Sequence, residues 1–347
     1  MTDIKARPVV LRATMKDVAA LARVSLKTVS RVINNESTVN AELAARVRQA
    51  VEQLRYQPNF GASALRRRDG RSSTIGLLLE DLSNPFSATI YRAVEEVAAQ
   101  RFVSVLGGSL DESPFREREL TMSLSRHRVD GVIIAPASHD HQYLRQDQEA
   151  GVPFVFVDRP PSLLRADQVL SDSREGTENA VKHLLKIGHR RIGYLGDAAT
   201  ISTAQERYRG YLDALEQSGI TLDPTIVVQG LSTIEAARDA LAELLGSTNP
   251  PTAFFTGQNL LTMGAVRAIR EAGLQNHIAL VGFDDFLMAD LLEPAVTVVA
   301  QDVALMGREA ARVLFERIDG DTSEPHHLVV RTTLIERGSG EIAPPLH

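Results

Sequence analysis

The sequence predicts a small all-α helix-turn-helix head joined to a two-lobed α/β core. Three observations carry this. Residues 14–34, TMKDVAALARVSLKTVSRVIN, read as two short amphipathic helices around a tight turn. From Thr74 onward short apolar runs alternate with helical stretches, the pattern of parallel sheets covered by helices. Charge is also segregated: residues 1–73 hold 14 Lys+Arg against 6 Asp+Glu, net +8, while the rest holds 24 against 38, net −14.

In the head, Thr14 is placed to cap the first helix, with Asp17 completing a capping box. Val18, Leu21 and Ala22 fall on one face at helical spacing. The turn is Ala22-Arg23-Val24, and Ser25 caps a second helix whose apolar stripe is Val29, Val32 and Ile33. Leu26, Lys27, Ser30 and Arg31 are left on the outer face near that helix's N-terminus, where a helix-turn-helix meets base edges. Asn40 caps a third helix with Leu43, Val47, Val51 and Leu54 on one face, and Pro58 closes it. A basic helical head on an acidic body is the footprint of a polyanion-binding module on a soluble carrier.

Residues 59–73, NFGASALRRRDGRSS, read as a linker of Gly, Ser and Arg. FGASALRR has the register for one or two helical turns, but Gly61 weakens them in isolation, so such a helix would form only with outside support.

The core runs are TIGLLL, FVSVL, GVIIA, PFVFV, RIGYLG, TAFFT, IALVGF and VTVVA. Helical periodicity fills intervening segments such as Ser87–Gln100, Glu175–Lys186, Ala204–Gln217 and Ile234–Leu245. Roughly 260 residues of this pattern exceed what one sheet usually holds, hence two lobes. Ligands in such folds sit beyond the carboxyl ends of the strands, so the residues just after each apolar run are where a site is sought.

Other classes find little support. The 347 residues contain no cysteine, which excludes disulfides and thiolate metal sites. No apolar run approaches the ~20 residues of a membrane span, and no secretory segment is visible, so a cytoplasmic location is expected. Dinucleotide, P-loop and nucleophile-elbow signatures are missing. His139-Asp140-His141 sits in a polar loop with no third ligand and reads as solvated rather than metal-binding. Asp284 and Asp285 are strand neighbours pointing to opposite faces, so at most one faces a cleft. Neither cofactor nor metal is expected.

The residues resemble the lac repressor (LacI/GalR) family of transcriptional regulators over nearly the whole chain. The matching segments, in order, are DVAALARVSLKTVSRVINN with VRQAVEQLRYQPN, then IGLLLEDLSNPF, then HLLKIGHRRIGYLGD with RYRGYLDAL, then VGFDDFLMADLLEPAVTVVAQDVALMG. The resemblance implies a three-helix head, a hinge helix and a core similar to type I periplasmic sugar-binding proteins. It also implies a homodimer on a palindromic operator, with a sugar-like effector between the lobes altering DNA affinity. The domains would be 1–57 for the head, 58–73 for the hinge, 74–340 for the core and 341–347 for a tail. That tail carries no leucine heptads, which favours a dimer over a tetramer.

By that resemblance Leu26, Lys27 and Arg31 would read bases. Arg and Lys suit the acceptor pair on guanine, and Leu26 suits an apolar feature such as a thymine methyl. Thr14, Ser25, Thr28 and Asn34 would touch phosphates, which position without reading sequence. Asn59, Ala62 and Leu65 fall in the hinge, Leu65 matching the leucine that wedges into the minor groove. Phe86, Asp158, Arg207, Asn259, Asp284 and Gln301 would bind effector, Arg207 as a forked donor for hydroxyls or a carboxylate.

Three departures stand out: Arg23 where the turn usually has Gly or Asn, Gln258-Asn259 where Asn-Asp is common, and Leu231 in place of a cleft aromatic. Two alternatives remain open at this point. One is a regulator of the same fold gated by a protein partner or by no effector; the other is a solute-binding protein.

Overall fold

The computed structural model describes residues 13–33, 39–56 and 71–345. Asn34, Asn59, Ala62 and Leu65 lie outside the described residues, as does the expected hinge apart from 71–73. The chain divides into two compact units, residues 1–72 and 73–347.

In the first unit, α1 (Met15–Ala22), α2 (Leu26–Ile33) and α3 (Ala41–Gln53) share one small core. Thr14 and Asp17 form the capping box: the Asp17 N–H donates to the Thr14 hydroxyl (3.4 Å) and the Thr14 N–H to the Asp17 carboxylate (2.7 Å). Ser25 caps α2 by accepting the Thr28 N–H at 3.1 Å, and Asn40 caps α3 by accepting the Glu42 N–H at 2.8 Å. Val18, Ala19, Ala22, Val29, Val32, Val47, Ala50 and Tyr56 are buried together.

Leu21 departs from the expected stripe and is 47 % exposed. Met15, Val18, Ala19 and Ala22 pack inward, and that face places Leu21 more than 90° from its centre. An eight-residue helix has too few turns for spacing alone to fix which apolar edge is buried.

α1 ends in a Schellman motif, with the Val24 N–H on the Ala19 carbonyl (3.0 Å) and the Arg23 N–H on that of Ala20 (3.2 Å). Arg23 is left-handed at φ 51°, as its place in the turn demands. Arg46 of α3 reaches back and donates to the carbonyls of Ala22 (2.6 Å) and Arg23 (3.3 Å). A third-helix guanidinium thus secures a turn that lacks the usual glycine.

The second unit is built from two six-stranded sheets. Lobe 1 begins with β1 (Thr74–Leu79), α4 (Pro85–Gln100), β2 (Ser104–Ser109), α5 (Pro114–Arg126), β3 (Val132–Ile134), α6 (Arg145–Glu149), β4 (Phe154–Val157) and β5 (Asp167–Ser171). Lobe 2 holds α7 (Ser173–Ile187), β6 (Ile192–Leu195), α8 (Ser202–Gln217), β7 (Val227–Val228), α9 (Ile234–Leu245), β8 (Ala253–Thr256), α10 (Asn259–Glu271), β9 (Ala279–Phe283) and β10 (Thr297–Gln301). The chain then returns to lobe 1 for α11 (Val303–Ile318) and β11 (His327–Val330), and ends in lobe 2 with β12 (Thr332–Ile335).

Strand order is β11-β5-β4-β3-β1-β2 in lobe 1 and β12-β10-β9-β8-β6-β7 in lobe 2. All pairs are parallel except β10 with β12. Helices cover both faces, which is why the inner strands are continuous apolar runs such as FVFV and AFFT. Among the described residues the chain passes between the lobes three times, at Asp172, Asp302 and Arg331. Two of these passages are tied together: the Thr332 N–H donates to the Asp172 carboxylate at 2.7 Å.

Two further readings change. His141 is fully buried, not solvated: its Nδ1 accepts the Ser162 N–H (2.8 Å) and its Nε2 lies 3.5 Å from the buried Glu117 carboxylate. The core also runs past residue 340, because Glu341 accepts from Thr297 (2.8 Å) and the Ile342 carbonyl meets His189 Nε2 (2.8 Å). No helix among the described residues is long and apolar enough to cross a membrane.

Candidate functional site

The carboxyl ends of the parallel strands of both lobes open on one cleft, the position such sheets reserve for ligands. Its cavity of about 90 Å³ is several times what one water needs. Lobe 1 contributes Glu80 after β1, Ala135 after β3, and Asp158 and Arg159 after β4. Lobe 2 contributes Asp197 after β6, Gln258 and Asn259 after β8, and Asp284 after β9. Helix starts supply Asn84 and Phe86 on α4 and Thr203 and Arg207 on α8.

The SNPF segment is locally determined. Asp81 accepts the Ser83 N–H (2.8 Å), Asn84 caps α4 through the Phe86 N–H (3.0 Å), and Pro85 starts the helix. That cap turns Phe86 toward the cleft, where it also packs on the lobe 1 core. Asn84 reaches lobe 2 as well: its Oδ1 accepts from Asn259 Nδ2 at 2.9 Å. Asn259 is 2 % exposed, and its own Oδ1 accepts the Leu260 N–H.

Asp158 and Asp284 stand at equivalent points of the two sheets. Each follows the third strand in its sheet's order, β4 and β9, and is left-handed, at φ 67° and 66°. Each N–H donates to a neighbouring strand, to Val169 at 3.0 Å and Val299 at 2.9 Å. Both carboxyls are buried, and burial raises their pKa values against the opposing pull of nearby guanidinium groups.

Arg207 is 6 % exposed. Its guanidinium lies 3.9 Å from the Phe283 ring centroid, donates to the Gly257 carbonyl at 2.7 Å and sits 3.9 Å from the Asp284 carboxylate. Gln301 does not line the cavity; it stands behind Asp284, donating to it at 2.6 Å. Four buried polar atoms of this region have no hydrogen-bond partner: Asp158 Oδ1, Arg159 Nε, Arg207 Nε and Gln301 Oε1. Buried polar groups are normally satisfied, which makes these atoms candidates for contact with a ligand.

The head presents a second surface. Leu26 (44 % exposed) and Lys27 face outward from the first turn of α2, with Thr28 and Arg31 partly covered. Thr14, Ser25 and Thr28 hydroxyls are engaged in the caps.

Comparison with known proteins fixes the family. Residues 14–59 match the bacterial regulatory proteins of the lacI family, and residues 181–340 match a periplasmic binding protein-like domain. The chain is 35 % identical over 341 residues to the HTH-type transcriptional regulator CelR of Thermobifida fusca, covering 95 % of this chain and 98 % of that one. The chain belongs to the lacI family of bacterial regulatory proteins. A lac repressor dimer bound to operator and the anti-inducer ONPF superposes with a TM-score of 0.83 at 27 % identity, covering 94 % of this chain and 99 % of that one. A CelR–cellobiose complex gives 0.70 at 34 % identity, covering 95 % and 100 %. As a member of this family the chain is a DNA-binding transcriptional regulator, not an enzyme.

Within the LacI-family frame, the structure brings Phe86, Asp158, Arg207, Asn259 and Asp284 to one cleft and sets Gln301 one layer back. Of Asp284 and Asp285, only Asp284 lines it; Asp285 pairs with Arg337 at 2.7 Å. Leu231 is buried in the lobe 2 core, and Ser232 faces the cavity instead. Residue-level reading missed Glu80, Asn84, Glu112, Arg159 and Asp197, and named Gln258 only as a departure from the family pair. Glu80, Arg159, Asp197 and Gln258 each follow an apolar run within two residues, so the rule for where to look contained them. Glu112 has no such signal; it enters through a fork from Arg159 (2.6 and 2.8 Å).

Proposed function

We propose that this regulator is a cytoplasmic repressor that binds a palindromic operator as a homodimer and responds to a sugar-like effector held in the interlobe cleft. The observation that carries the effector reading is the set of buried, unpartnered polar atoms, Asp158 Oδ1 and Arg207 Nε, on side chains that line one cavity between two lobes. An acceptor and a donor so placed suit the hydroxyls of a polyol, with the Phe86 ring as an apolar wall. The cellobiose bound by the related CelR supports this class of ligand.

Asp158 and Asp284 reach the cleft from opposite lobes, and Arg207 joins Asp284 and the Gly257 carbonyl on the lobe 2 side. A ligand spanning the cleft would favour the closed arrangement by the difference of its contacts in the two states, which is all that a ligand can contribute to a switch. In the head, Lys27 and Arg31 are assigned to base edges, Leu26 to an apolar base feature, and Thr14, Ser25 and Thr28 to phosphates. Asn34, Asn59, Ala62 and Leu65 keep the DNA roles that family resemblance gives them.

The test is calorimetric titration of the full chain with cellobiose, ribose and galactose, repeated on Arg207→Ala. Binding by one of them that Arg207→Ala abolishes is expected. Binding that Arg207→Ala leaves untouched would remove the cleft from the effector role.

A further inference from the structure

Five carboxylates line the cleft against two guanidinium groups. Two of the carboxylates are accounted for: Glu112 is held by the Arg159 fork, and Asp284 by Gln301 with Arg207 beyond it. Asp158 has Arg159 at 3.6 Å for one oxygen only. Its other oxygen has no partner, on a side chain that is nine-tenths buried and belongs to the cavity lining. Glu80 and Asp197 are left, one from each lobe, and no cation is in ion-pair contact with either among the described residues.

Asp197 acts on Glu80 across the cleft, while the Arg159 guanidinium opposes the rise of both carboxyls without forming an ion pair with either. Burial is the main cause pushing the Glu80 carboxyl up to about 7, Glu112 adds to it, and Asp197 contributes from the opposite lobe. Asp197 is raised by burial too, despite accepting the Ala198 N–H at 2.7 Å and the Gln258 amide at 3.3 Å. Closing the lobes on a neutral ligand leaves like charges facing one another in a site short of water. An anionic ligand adds a third. A cation between them removes the repulsion and gives both carboxylates a charge-assisted donor.

We propose that the effector carries a protonated amine, held between Glu80 of lobe 1 and Asp197 of lobe 2, on a hydroxylated frame that Asp158 and Arg207 bind. Its class is the amino sugars and similar hydroxylated amines, and phosphorylated or acidic sugars are excluded. The assignment rests on the reading of the cleft as the effector site and names that site's ligand chemistry. Arg207 supplies a donor for a ring hydroxyl, Asp158 an acceptor, and the Phe86 ring an apolar wall.

The experiment is calorimetric titration of the full chain at neutral pH with matched pairs: glucosamine and glucose, galactosamine and galactose, mannosamine and mannose. Glucose 6-phosphate and galactose 6-phosphate are run alongside. In at least one pair the amine should bind about tenfold more tightly than its neutral partner, and the phosphates should fail. The isosteric Glu80→Gln and Asp197→Asn should each remove about threefold or more of that preference, read as the ratio of amine to neutral affinity in the same variant. A neutral sugar binding as tightly as its amine, or an amine preference that survives both substitutions, overturns the ammonium assignment and leaves the cleft reading standing. Binding by no amine also overturns it. If the neutral sugars fail as well, the sugar-effector reading falls with it.

Discussion

Asn259 of lobe 2 donates its side-chain amide to the Asn84 side-chain carbonyl of lobe 1 at 2.9 Å, so the cap of α4 is joined to the first residue of α10 across the cleft. The bond exists only while the lobes are near. Asn84 simultaneously holds the start of α4, so the positions of Phe86 and of the opposite lobe depend on one amide.

Removing that amide should loosen the lobes. Asn259→Ala is expected to cost about 0.5–1.5 kcal/mol, a net hydrogen bond in a buried setting. In a core of this size that is a fall of about 2–4 °C in thermal midpoint. A melt of the variant unchanged from wild type would mean that water replaces the bond at no cost.

The turn of the head gives an opposed pair of expectations. Arg23 pays for a left-handed backbone that glycine adopts freely, so Arg23→Gly should stabilise the turn by about 1 kcal/mol. Arg46→Ala should destabilise it by a similar amount, about 1 kcal/mol, by leaving the Ala22 carbonyl without its guanidinium. Hydrogen exchange at the Arg23 and Val24 amides of the full chain should slow about fivefold in the first and quicken about fivefold in the second. Equal rates in both would show that the Schellman bonds alone set the turn.

Lys27, exposed in the first turn of α2, is expected to read a base rather than the backbone. Lys27→Ala should cost about 1–3 kcal/mol at the contacted base pair and relax selection there. Binding-site selection from random DNA with both proteins measures this. An unchanged selected sequence would reassign Lys27 to phosphate contact.

Glu80 supplies a pH dependence. Burial and Glu112 raise its carboxyl to about 7, opposed by Arg159, with Asp81 and Asp197 adding to the rise. The folded core therefore holds a proton that the unfolded chain has lost between the ordinary carboxylate range and pH 7. Stability falls as pH rises through that window. Glu80→Gln should make the decline in thermal midpoint from pH 5 to pH 8 shallower and raise the midpoint at the alkaline end. An identical slope in the variant would place the proton uptake on Asp158, Asp197 or Asp284 instead.

Much of the fold was readable because local chemistry dictated it. Thr14 with Asp17, Ser25 with Thr28, and Asn40 with Glu42 are caps spanning two or three residues. The apolar runs from TIGLLL to VTVVA became the inner strands because both faces of each sheet are covered. Strands such as DQVLS (β5), HLVV (β11) and TTLI (β12) were not legible: they are short, partly polar, and exist through pairing with distant segments. Leu21 was misplaced because a two-turn helix offers two apolar edges, and packing against α3 chose between them.

The cleft shows the same division. Asp158, Arg207 and Asp284 could be named from family resemblance, and Glu80 and Asp197 only as residues following apolar runs. That Arg159 would fork onto Glu112, 47 residues away, leaving Glu80 and Asp197 with no ion-pair contact among the described residues, depends on how the lobes assemble. No local pattern carries that.

Effector control of DNA binding is tested by fluorescence anisotropy of the full chain on an operator selected from random DNA. The titration is run with and without the amino and neutral sugars named above, for wild type and Arg207→Ala. A shift in operator Kd of about tenfold or more with at least one sugar, absent in Arg207→Ala while sugar-free operator affinity persists, is the expected result. An operator affinity that no sugar alters, or an equal shift in Arg207→Ala, would contradict a switch operated from the interlobe cleft.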